Sequence, residues 1–444
     1  MGSDMPKLKL VTFGCQANEL DSARIAGILA RQGYTLTEDE AEADLIILNG
    51  CSIREKAEQK LFSRLGTLQA LRAKNPRLRL GVAGCLAQRE GEALLKRFPY
   101  LDLVVGNGEH LAEIPQLLSI KAGQPAVAAS EPVGLFPEDV EVHRDSHLRA
   151  WVGIMEGCDN FCAFCVVPFT RGRERSRHPD DVLREVVRLR EAGYREITLL
   201  GQTVNSYGKK FDPPIPFADL LRRIDAAVGA RMRVRFTTSF PPDVTPALAE
   251  AMAVLPSVCE HIHLPVQAGS SLTLSRMKRT YTREAYLEKI TMLRAAAPYL
   301  AITTDIIVGF PGETDADFAE TVSLMEEVGF DGCFTFKFSP RPGTPAADFP
   351  DQVPESVKAA RLSQVLELQR RLSLKENRKL IGRVVEVLVD RELSKRDSGL
   401  AAGRSRQNKI VHFRGGEVEE GTLVNVEITE GTSNHLKGVL IASS

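Results

Sequence analysis

The chain has 444 residues, of which 43% are hydrophobic and 26% charged, a balance typical of folded proteins and not of disordered ones. Its 57 Lys and Arg side chains nearly equal its 58 Asp and Glu side chains, which excludes an evenly basic nucleic-acid coat but not a local basic patch. The length favours two to four domains, and eight cysteines are too few for a disulfide scaffold. We expect a cytoplasmic protein, since the sequence has no apolar run long enough to cross a bilayer and no signal-peptide core.

Strand and helix patterns alternate over residues 7–120. Strands are predicted at 8–13, 45–48, 80–83 and 101–105, and helices at 18–32, near 54–75 and after 88. This alternation predicts βαβ units, with a parallel sheet covered by helices on both faces. Residues 121–147 are rich in Pro, Gly and acidic residues without a sustained period, which predicts a linker with room for short strands.

The alternation resumes over residues 148–378. Strands are predicted at 150–155, 196–200, 233–237, 261–264, 302–308 and 333–338, with helices at 179–192, 217–226, 283–296 and 356–380. Repeats of this kind indicate an α/β fold with a partial (βα)6 barrel, whose chemistry lies at the carboxyl ends of the strands. Residues 379–444 have strand patterns at 383–389, 410–413, 423–428 and 438–441, which predict a small closed β-barrel.

The most specific pattern is a CxxxCxxC loop formed by Cys158, Cys162 and Cys165, directly after a predicted barrel strand. Three neighbouring thiolates cannot complete a four-ligand zinc site. They can hold three irons of a [4Fe–4S] cluster and leave the fourth iron open to the amine and carboxylate of S-adenosylmethionine. A zinc ribbon is the alternative, although zinc ribbons generally use CxxC pairs.

A second set of cysteines is dispersed. Cys15, Cys51 and Cys85 each follow a glycine at the end of a predicted strand and precede a predicted helix. Because the carboxyl ends of parallel strands share one edge of a sheet, the three turns can converge on one point. We therefore predict a second [4Fe–4S] cluster with an open iron; three buried structural cysteines are the alternative. Cys259 and Cys333 have no partner at ligand spacing and are predicted to be small buried apolar residues.

The motifs together resemble the radical SAM methylthiotransferase family over nearly the whole chain. The resemblance is carried by GCQANE at 14–19, NGCSIREKA at 49–57, the cysteine loop at 157–165, RGRE at 171–174, LGQTVNSY at 200–207, HLPVQAGS at 263–270 and GFPGET at 309–314. The terminal barrel resembles a TRAM domain, which binds RNA.

The resemblance implies an activity. The residues after Cys51 are similar to the branch of the family that inserts sulfur and a methyl group at C2 of N6-isopentenyladenosine in the tRNA anticodon loop. One S-adenosylmethionine would supply the radical and another the methyl group, with the cluster at Cys15, Cys51 and Cys85 handing over the sulfur. Methylthiolation of a ribosomal-protein aspartate or of threonylcarbamoyladenosine in tRNA are the alternatives within the family.

Positions around the predicted cluster indicate the cofactor and RNA contacts. Beyond the cluster ligands no catalytic residue is predicted, and the residues expected to contact S-adenosylmethionine are Phe164, Ser239, His263, Gln267, Val308 and Gly309. A lone histidine such as His263 is more often structural, but its predicted position at the barrel mouth favours a cofactor contact. The residues expected to contact RNA are Arg171, Arg173, Arg175, Arg404 and Arg406, although a run of charges is commonly only a solvated face.

Further partners follow from the implied chemistry. Electron-donor and sulfur-donor proteins are expected, no membrane partner is expected, and a monomer is expected. Two alternatives of another kind remain open from the sequence: an RNA-binding protein with zinc-stabilised loops, and a radical enzyme that transfers only a methyl group.

Overall fold

The computed structural model describes residues 5–52, 55–121, 124–132, 134–138, 142–144, 146–394, 399–415 and 418–441. The beginning of the helix predicted near 54 and parts of the predicted linker lie outside the described residues. In the described ranges no helix is long and apolar enough to span a membrane.

The amino-terminal region is a parallel sheet with helices on both faces, as the sequence predicts. Its strands are β1 (Lys7–Phe13), β2 (Thr35–Leu36), β3 (Leu45–Gly50), β4 (Arg79–Ala83), β5 (Leu103–Val105) and β6 (Ala126–Ala128), in the order β2-β1-β3-β4-β5-β6. Its helices are α1 (Gln16–Ala30), α2 (Glu55–Lys74), α3 (Cys85–Glu90), α4 (Glu92–Arg97) and α5 (Ile114–Ser119), with a 3₁₀ helix at Gly108–Glu113. Strand β6 comes from the predicted linker and extends the sheet beside β5.

The central strand β3 shows why this sheet is buried on both faces. Its sequence LIILNG is an uninterrupted buried run, which is typical of a parallel strand covered on each side. Leu45 and Ile47 pack into the core that contains Ile25 of α1, whereas Ile46 and Leu48 pack into the opposite core beneath α2.

The central region is a partial (βα)6 barrel. Its strands are β7 (Arg149–Gly153), β8 (Met155–Glu156), β9 (Arg175–Ser176), β10 (Glu196–Leu200), β11 (Arg233–Phe236), β12 (His261–His263), β13 (Ala301–Val308) and β14 (Gly332–Lys337). Its helices are α6 (Val167–Thr170), α7 (Pro179–Glu191), α8 (Phe217–Val228), α9 (Pro246–Val254), α10 (Ser271–Arg276), α11 (Arg283–Ala296), α12 (Asp315–Val328) and α13 (Glu355–Arg378), with 3₁₀ helices at Val204–Ser206, Gly229–Arg231, Pro241–Asp243 and Pro345–Ala347.

Two parallel sheets form the barrel wall. They have the orders β7-β10-β11 and β12-β13-β14, and a bridge from Val234 to Val258 connects them. Among the described residues, β7 and β14 do not pair, so the barrel stays open between its first and last strands. Strands β8 and β9 form a separate antiparallel pair beside the cysteine loop.

The carboxyl-terminal region is a closed barrel of strands β15 (Val384–Val389), β16 (Ala401–Ser405), β17 (Ile410–Arg414), β18 (Leu423–Gly431) and β19 (Leu436–Leu440), with helix α14 (Arg391–Ser394) between the first two. It docks on the amino ends of the central strands. The Arg406 guanidinium pairs with Glu260, one residue before β12, and Arg233 at the beginning of β11 pairs with Glu386 of β15. The predicted small β-barrel and the α/β fold class are confirmed; the boundaries drawn at 120, 147 and 378 stay predictions.

Candidate functional site: two cysteine trios

Cys15, Cys51 and Cys85, here called the first trio, lie at one edge of the amino-terminal sheet. They follow the adjacent strands β1, β3 and β4, and the Cys51 amide donates to the Phe13 carbonyl at 2.9 Å. A hydrogen bond from the Cys51 side chain lowers the pKa of Cys15 to about 5, assisted by the charge of Arg171. Burial raises the pKa of Cys85, which Arg171 partly opposes. The three sulfurs therefore share one electrostatic environment.

Two asparagines brace the turns that carry the first trio. The Asn18 side chain accepts from the Cys15 amide at 3.3 Å and donates to the Asn49 side chain at 3.1 Å, while Asn49 donates to the Asn18 carbonyl at 2.8 Å. Gly84 fits between them with φ +88°, and a Cβ at this position would lie 2.1 Å from the Asn49 Oδ1. The hydrogen-bonded pair of Asn18 and Asn49, here called the amide bracket, leaves no room for a side chain before Cys85. Glycine is required there for this reason and because of its positive φ.

Cys158, Cys162 and Cys165, the second trio, lie in the loop between β8 and α6. The Arg279 guanidinium donates to the Cys162 sulfur at 3.2 Å, and the Asn160 amide donates to the Cys158 sulfur at 3.4 Å. Burial raises the pKa of Cys165 to about 12, and the neighbouring Cys162 adds to this effect. The Cys165 thiol is therefore protonated at neutral pH without a metal, and binding of iron there would have to displace its proton.

Both trios fit the ligand set of an iron–sulfur cluster. All six sulfurs are free thiols. Within the described residues, no three Cys, His, Asp or Glu side chains form a group that could hold one metal ion. A [4Fe–4S] cluster differs from a single ion, because each thiolate binds its own iron atom and the sulfurs stay apart.

A buried ion network connects the trios. Arg171, six residues after Cys165, pairs with Asp21 of α1 at 2.6 Å and contacts the Cys85 side chain. Arg24 of α1 pairs with Glu156 at 2.6 Å, two residues before Cys158. Helix α3, which begins with Cys85, also packs against α6, which begins two residues after Cys165. The two trios are consequently linked through these side chains across the contact between the amino-terminal sheet and the barrel.

The residues expected to contact S-adenosylmethionine differ in their surroundings. Phe164 packs edge-on against Phe310 at 6.4 Å. The Ser239 hydroxyl is buried without a hydrogen-bond partner, as is expected of a group that awaits a polar ligand. Gln267 has φ +76° and its main chain bridges to β13.

The Val308 carbonyl and the Gly309 amide already have partners within the protein. The Val308 carbonyl accepts from the Phe338 amide at 2.9 Å, and the Gly309 amide donates to the Glu313 side chain at 2.9 Å. A ligand that binds the Val308 carbonyl would have to use its second lone pair. His263 lies deeper in the barrel, where its ring contacts Thr303 at 3.0 Å and Asp305 at 3.3 Å.

Most of the arginines expected to contact RNA are engaged within the protein. Arg171 is 4% exposed and belongs to the ion network, so the expected contact with a surface phosphate does not fit its position. Arg175 is half-buried and donates to the Pro132 carbonyl at 3.2 Å. Arg173 has a side chain that is 64% exposed, although it pairs with Asp159.

In the terminal barrel, the expected RNA contacts face the central barrel. Arg406 donates to both carboxylate oxygens of Glu260 and to the Val258 carbonyl, and Arg404 is half-buried with its carbonyl bound by Arg233. The Arg406 side chain and the Arg404 carbonyl attach the terminal barrel to the central one, whereas the Arg404 side chain contacts Asn408 within the terminal barrel. The positive charge of Arg406 is thus explained without RNA.

Sequence reasoning missed the bracket of Asn18 and Asn49 and the partners of Arg171. The asparagines stand in the quoted motifs, three residues after Cys15 and two before Cys51, and that proximity is a usable signal. Asp21 and Glu156 carry no comparable signal, because their partners are 150 and 132 residues away in sequence.

Comparisons with known proteins agree with this architecture. Residues 7–106 match the uncharacterized protein family UPF0004, residues 152–325 the radical SAM superfamily and residues 378–441 the TRAM domain. A radical S-adenosylmethionine methyltransferase, TsrM, from Kitasatospora setae has a TM-score of 0.57 at 16% identity, covering 78% of this chain and 77% of its own, which shows a shared fold alone.

Relatives of much higher identity share nearly the full length. A protein of Carboxydothermus hydrogenoformans is 48% identical, covering 97% of this chain and 98% of its own. A protein of Thermoanaerobacter sp. (strain X514) is 47% identical, covering 97% and 92%. Both are named tRNA-2-methylthio-N(6)-dimethylallyladenosine synthase. The chain therefore belongs to the radical SAM methylthiotransferases, in the family of the tRNA-2-methylthio-N(6)-dimethylallyladenosine synthases.

Proposed function

We propose that this enzyme attaches a methylthio group to C2 of N6-isopentenyladenosine in the anticodon loop of tRNA. The observation that carries the proposal is the convergence of the two trios through Arg171 and the α3–α6 contact. A reaction that activates a C–H bond and delivers sulfur to the same carbon needs both functions beside one nucleobase. The names of the full-length relatives support the same substrate.

The six cysteines are proposed to hold two [4Fe–4S] clusters, the second trio binding the one that also takes S-adenosylmethionine. When bound, that cluster supplies the electron for reductive cleavage of S-adenosylmethionine. The chain's own groups support this assignment: Arg279 and Asn160 donate to the sulfurs of Cys162 and Cys158, which stabilises anionic sulfur.

Around this cluster, the cofactor would be held by Phe164, Ser239, His263, Gln267, Val308 and Gly309. The unpartnered hydroxyl of Ser239 is the best-supported contact among them, because a buried polar atom without a partner costs free energy. For the first trio, the lowered pKa of Cys15 and the counter-charge of Arg171 favour the anionic sulfur that iron requires.

The terminal barrel is proposed to bind the tRNA, with Arg173 as the exposed basic side chain beside the second trio. A flipped-out adenosine is expected, because C2 of a stacked base is hard to reach. Electron-donor and sulfur-donor proteins, a monomeric state and a cytoplasmic location complete the proposal.

The test is mass spectrometry of tRNA nucleosides from cells with and without this gene. Deletion should remove the methylthio derivative of isopentenyladenosine and leave isopentenyladenosine itself. The reconstituted enzyme should convert isopentenylated tRNA but neither threonylcarbamoylated tRNA nor a ribosomal-protein aspartate. Conversion of either alternative in preference to isopentenylated tRNA would contradict the proposal.

A further inference from the structure

Two large aromatic side chains of β14 are exposed although the strand belongs to the barrel wall. Phe334 is 58% and Phe336 is 38% exposed. Successive side chains of a strand alternate between faces, so these two residues share one face. Helix α13 packs against β14, and its buried face carries Val365, Leu368 and Leu372. A pair of exposed rings on a barrel strand requires an explanation.

The register shows that this face is the barrel interior. Phe334 pairs with Asp305 and Phe336 with Ile307 of β13, while His263 of β12 pairs with Thr303. Along β13 the residues 303, 305 and 307 are half-buried whereas 302, 304, 306 and 308 are buried, so the odd-numbered face borders open space. The His263 ring meets the Phe334 ring edge-on at 5.8 Å.

The same strand leads to the two trios. Directly after β14, Phe338 packs on Phe310 at 5.2 Å, and Phe310 packs on Phe164 of the second trio's loop. One residue further, the Ser339 hydroxyl donates to Glu55, four residues after Cys51 of the first trio, at 2.8 Å. Strand β14 is also the edge beside which the barrel is open. The aromatic face therefore borders the opening near both trios.

The charge on this face is negative. The Asp305 carboxylate is 26% exposed and contacts the His263 imidazole at 3.3 Å. No lysine or arginine in the described parts of the chain forms an ion pair with it. An apolar group can pack against these rings without electrostatic repulsion, whereas a second carboxylate would be repelled by Asp305.

We propose that Phe334 and Phe336 form the subsite for the adenine and its apolar N6 branch, and that Asp305 excludes bases with an anionic branch. The inference rests on the proposed function and adds the determinant of substrate choice. Isopentenyl is apolar and fits the rings. Threonylcarbamoyl carries a carboxylate, which would lie beside Asp305.

The test measures binding of three stem–loop RNAs of identical length to the full, reconstituted chain by fluorescence anisotropy. The RNAs carry adenosine, N6-isopentenyladenosine or N6-threonylcarbamoyladenosine at the target position. Phe334→Ala and Phe336→Ala should each weaken binding of the isopentenyl RNA by about tenfold, the loss expected for one stacking ring. Asp305→Asn should strengthen binding of the threonylcarbamoyl RNA by about tenfold and leave the adenosine RNA unchanged.

Controls separate the subsite from folding. Leu272→Ala, at a 63% exposed apolar residue of α10, should bind all three RNAs as the parent does. Phe334→Leu keeps an apolar side chain without a ring and should lose isopentenyl binding if stacking matters, even if Phe334→Ala fails to fold. Unchanged RNA preference in Phe334→Leu and Asp305→Asn overturns the inference. If only the inference fails, the parent still methylthiolates isopentenyl RNA; if the proposed function fails, the parent itself makes no such product.

Discussion

The first trio is assembled by the fold, whereas the second trio is assembled by the local sequence. Cys158, Cys162 and Cys165 share one loop, and a short peptide already brings them together. The first trio depends on the parallel order of β1, β3 and β4 and on the amide bracket. Damage to the sheet should therefore affect the first trio alone, while both trios depend on the ion network between them.

The largest difference between the two trios is expected when their cysteines are replaced. Cys158→Ala should abolish both cleavage of S-adenosylmethionine and product formation, because the radical is made at the second trio. Cys51→Ala should retain cleavage to 5′-deoxyadenosine and lose methylthiolation. Liquid chromatography of 5′-deoxyadenosine, nucleoside mass spectrometry and iron analysis measure this difference, and each variant should lose about four irons per chain.

Cys259→Ala is the matched control, since Cys259 is a buried cysteine outside both trios. It should keep the parent's iron and activity. Loss of cleavage in Cys51→Ala would show that the trios do not divide the reaction as proposed.

The next largest effect is expected at the buried ion network that connects the trios. Arg171→Met leaves the buried Asp21 with only its longer contact to Arg24, at 3.5 Å, and should lower the free energy of unfolding by about 3 kcal/mol. The Arg173 side chain is 64% exposed, against 5% for Arg171, so Arg173→Met should change the free energy of unfolding by only about 0–1 kcal/mol. Anaerobic urea denaturation of both variants measures the difference. Equal effects would mean that the network does not hold the two regions together.

The amide bracket can be tested with two glycines of similar conformation. Gly33 has φ +84° and Gly84 has φ +88°, but an added Cβ meets nothing within 4 Å at Gly33. Gly33→Ala should cost about 1–2 kcal/mol for its left-handed backbone alone. Gly84→Ala should cost more, because it also collides with Asn49, and it should lose iron from the first trio only.

Electron paramagnetic resonance of the reduced protein, together with thermal unfolding, distinguishes these outcomes. Equal stability and equal iron in the two glycine variants would show that the bracket is not rigid.

The smallest expected effect concerns the terminal barrel. Arg406→Met removes the pair with Glu260 and the bonds to the Pro256 and Val258 carbonyls, and should cost about 1–3 kcal/mol. Cleavage of S-adenosylmethionine should be unchanged, because the site lies at the other end of the strands. Arg370→Met removes a surface ion pair whose arginine side chain is 73% exposed, and should lower the free energy of unfolding by only about 0–1 kcal/mol. Limited proteolysis and chemical denaturation report the change; a loss of cleavage in Arg406→Met would contradict it.

The sequence predicted what depends on local pattern or on simple sheet topology. Strand β10 and helix α11 match the predicted ranges 196–200 and 283–296 because their apolar periods are regular and their ends are clear. Strand β16, with the sequence AAGRS, was not predicted, because it has no β-branched or aromatic residue. The interior face of β14 was also missed, since its alternation CFTFK does not reveal which side remains open.

Long-range polar contacts were beyond prediction for a different reason. The basic run that begins at Arg171 indicates a solvated or phosphate-binding surface, yet Arg171 is buried by Asp21, 150 residues earlier. A charge pattern records residue type but not the partner that folding brings to it. The second trio, by contrast, was found from spacing because its cysteines are neighbours in sequence. The first trio was found because the same strand-Gly-Cys-helix pattern recurs three times and parallel topology brings such turns to one edge of the sheet.

The position of the terminal barrel sets a length requirement on the nucleic acid. Two ion pairs attach the terminal barrel to the amino ends of β11 and β12, whereas the cysteines lie beyond the carboxyl ends of the strands. Strand β13, with 8 residues, measures roughly 26 Å from end to end. An RNA held by the terminal barrel must reach along the outside of the wall for that height before its base can turn inward. Progressive shortening of the helical stem should therefore remove the contact with the terminal barrel while the loop still fits the site at the cysteines.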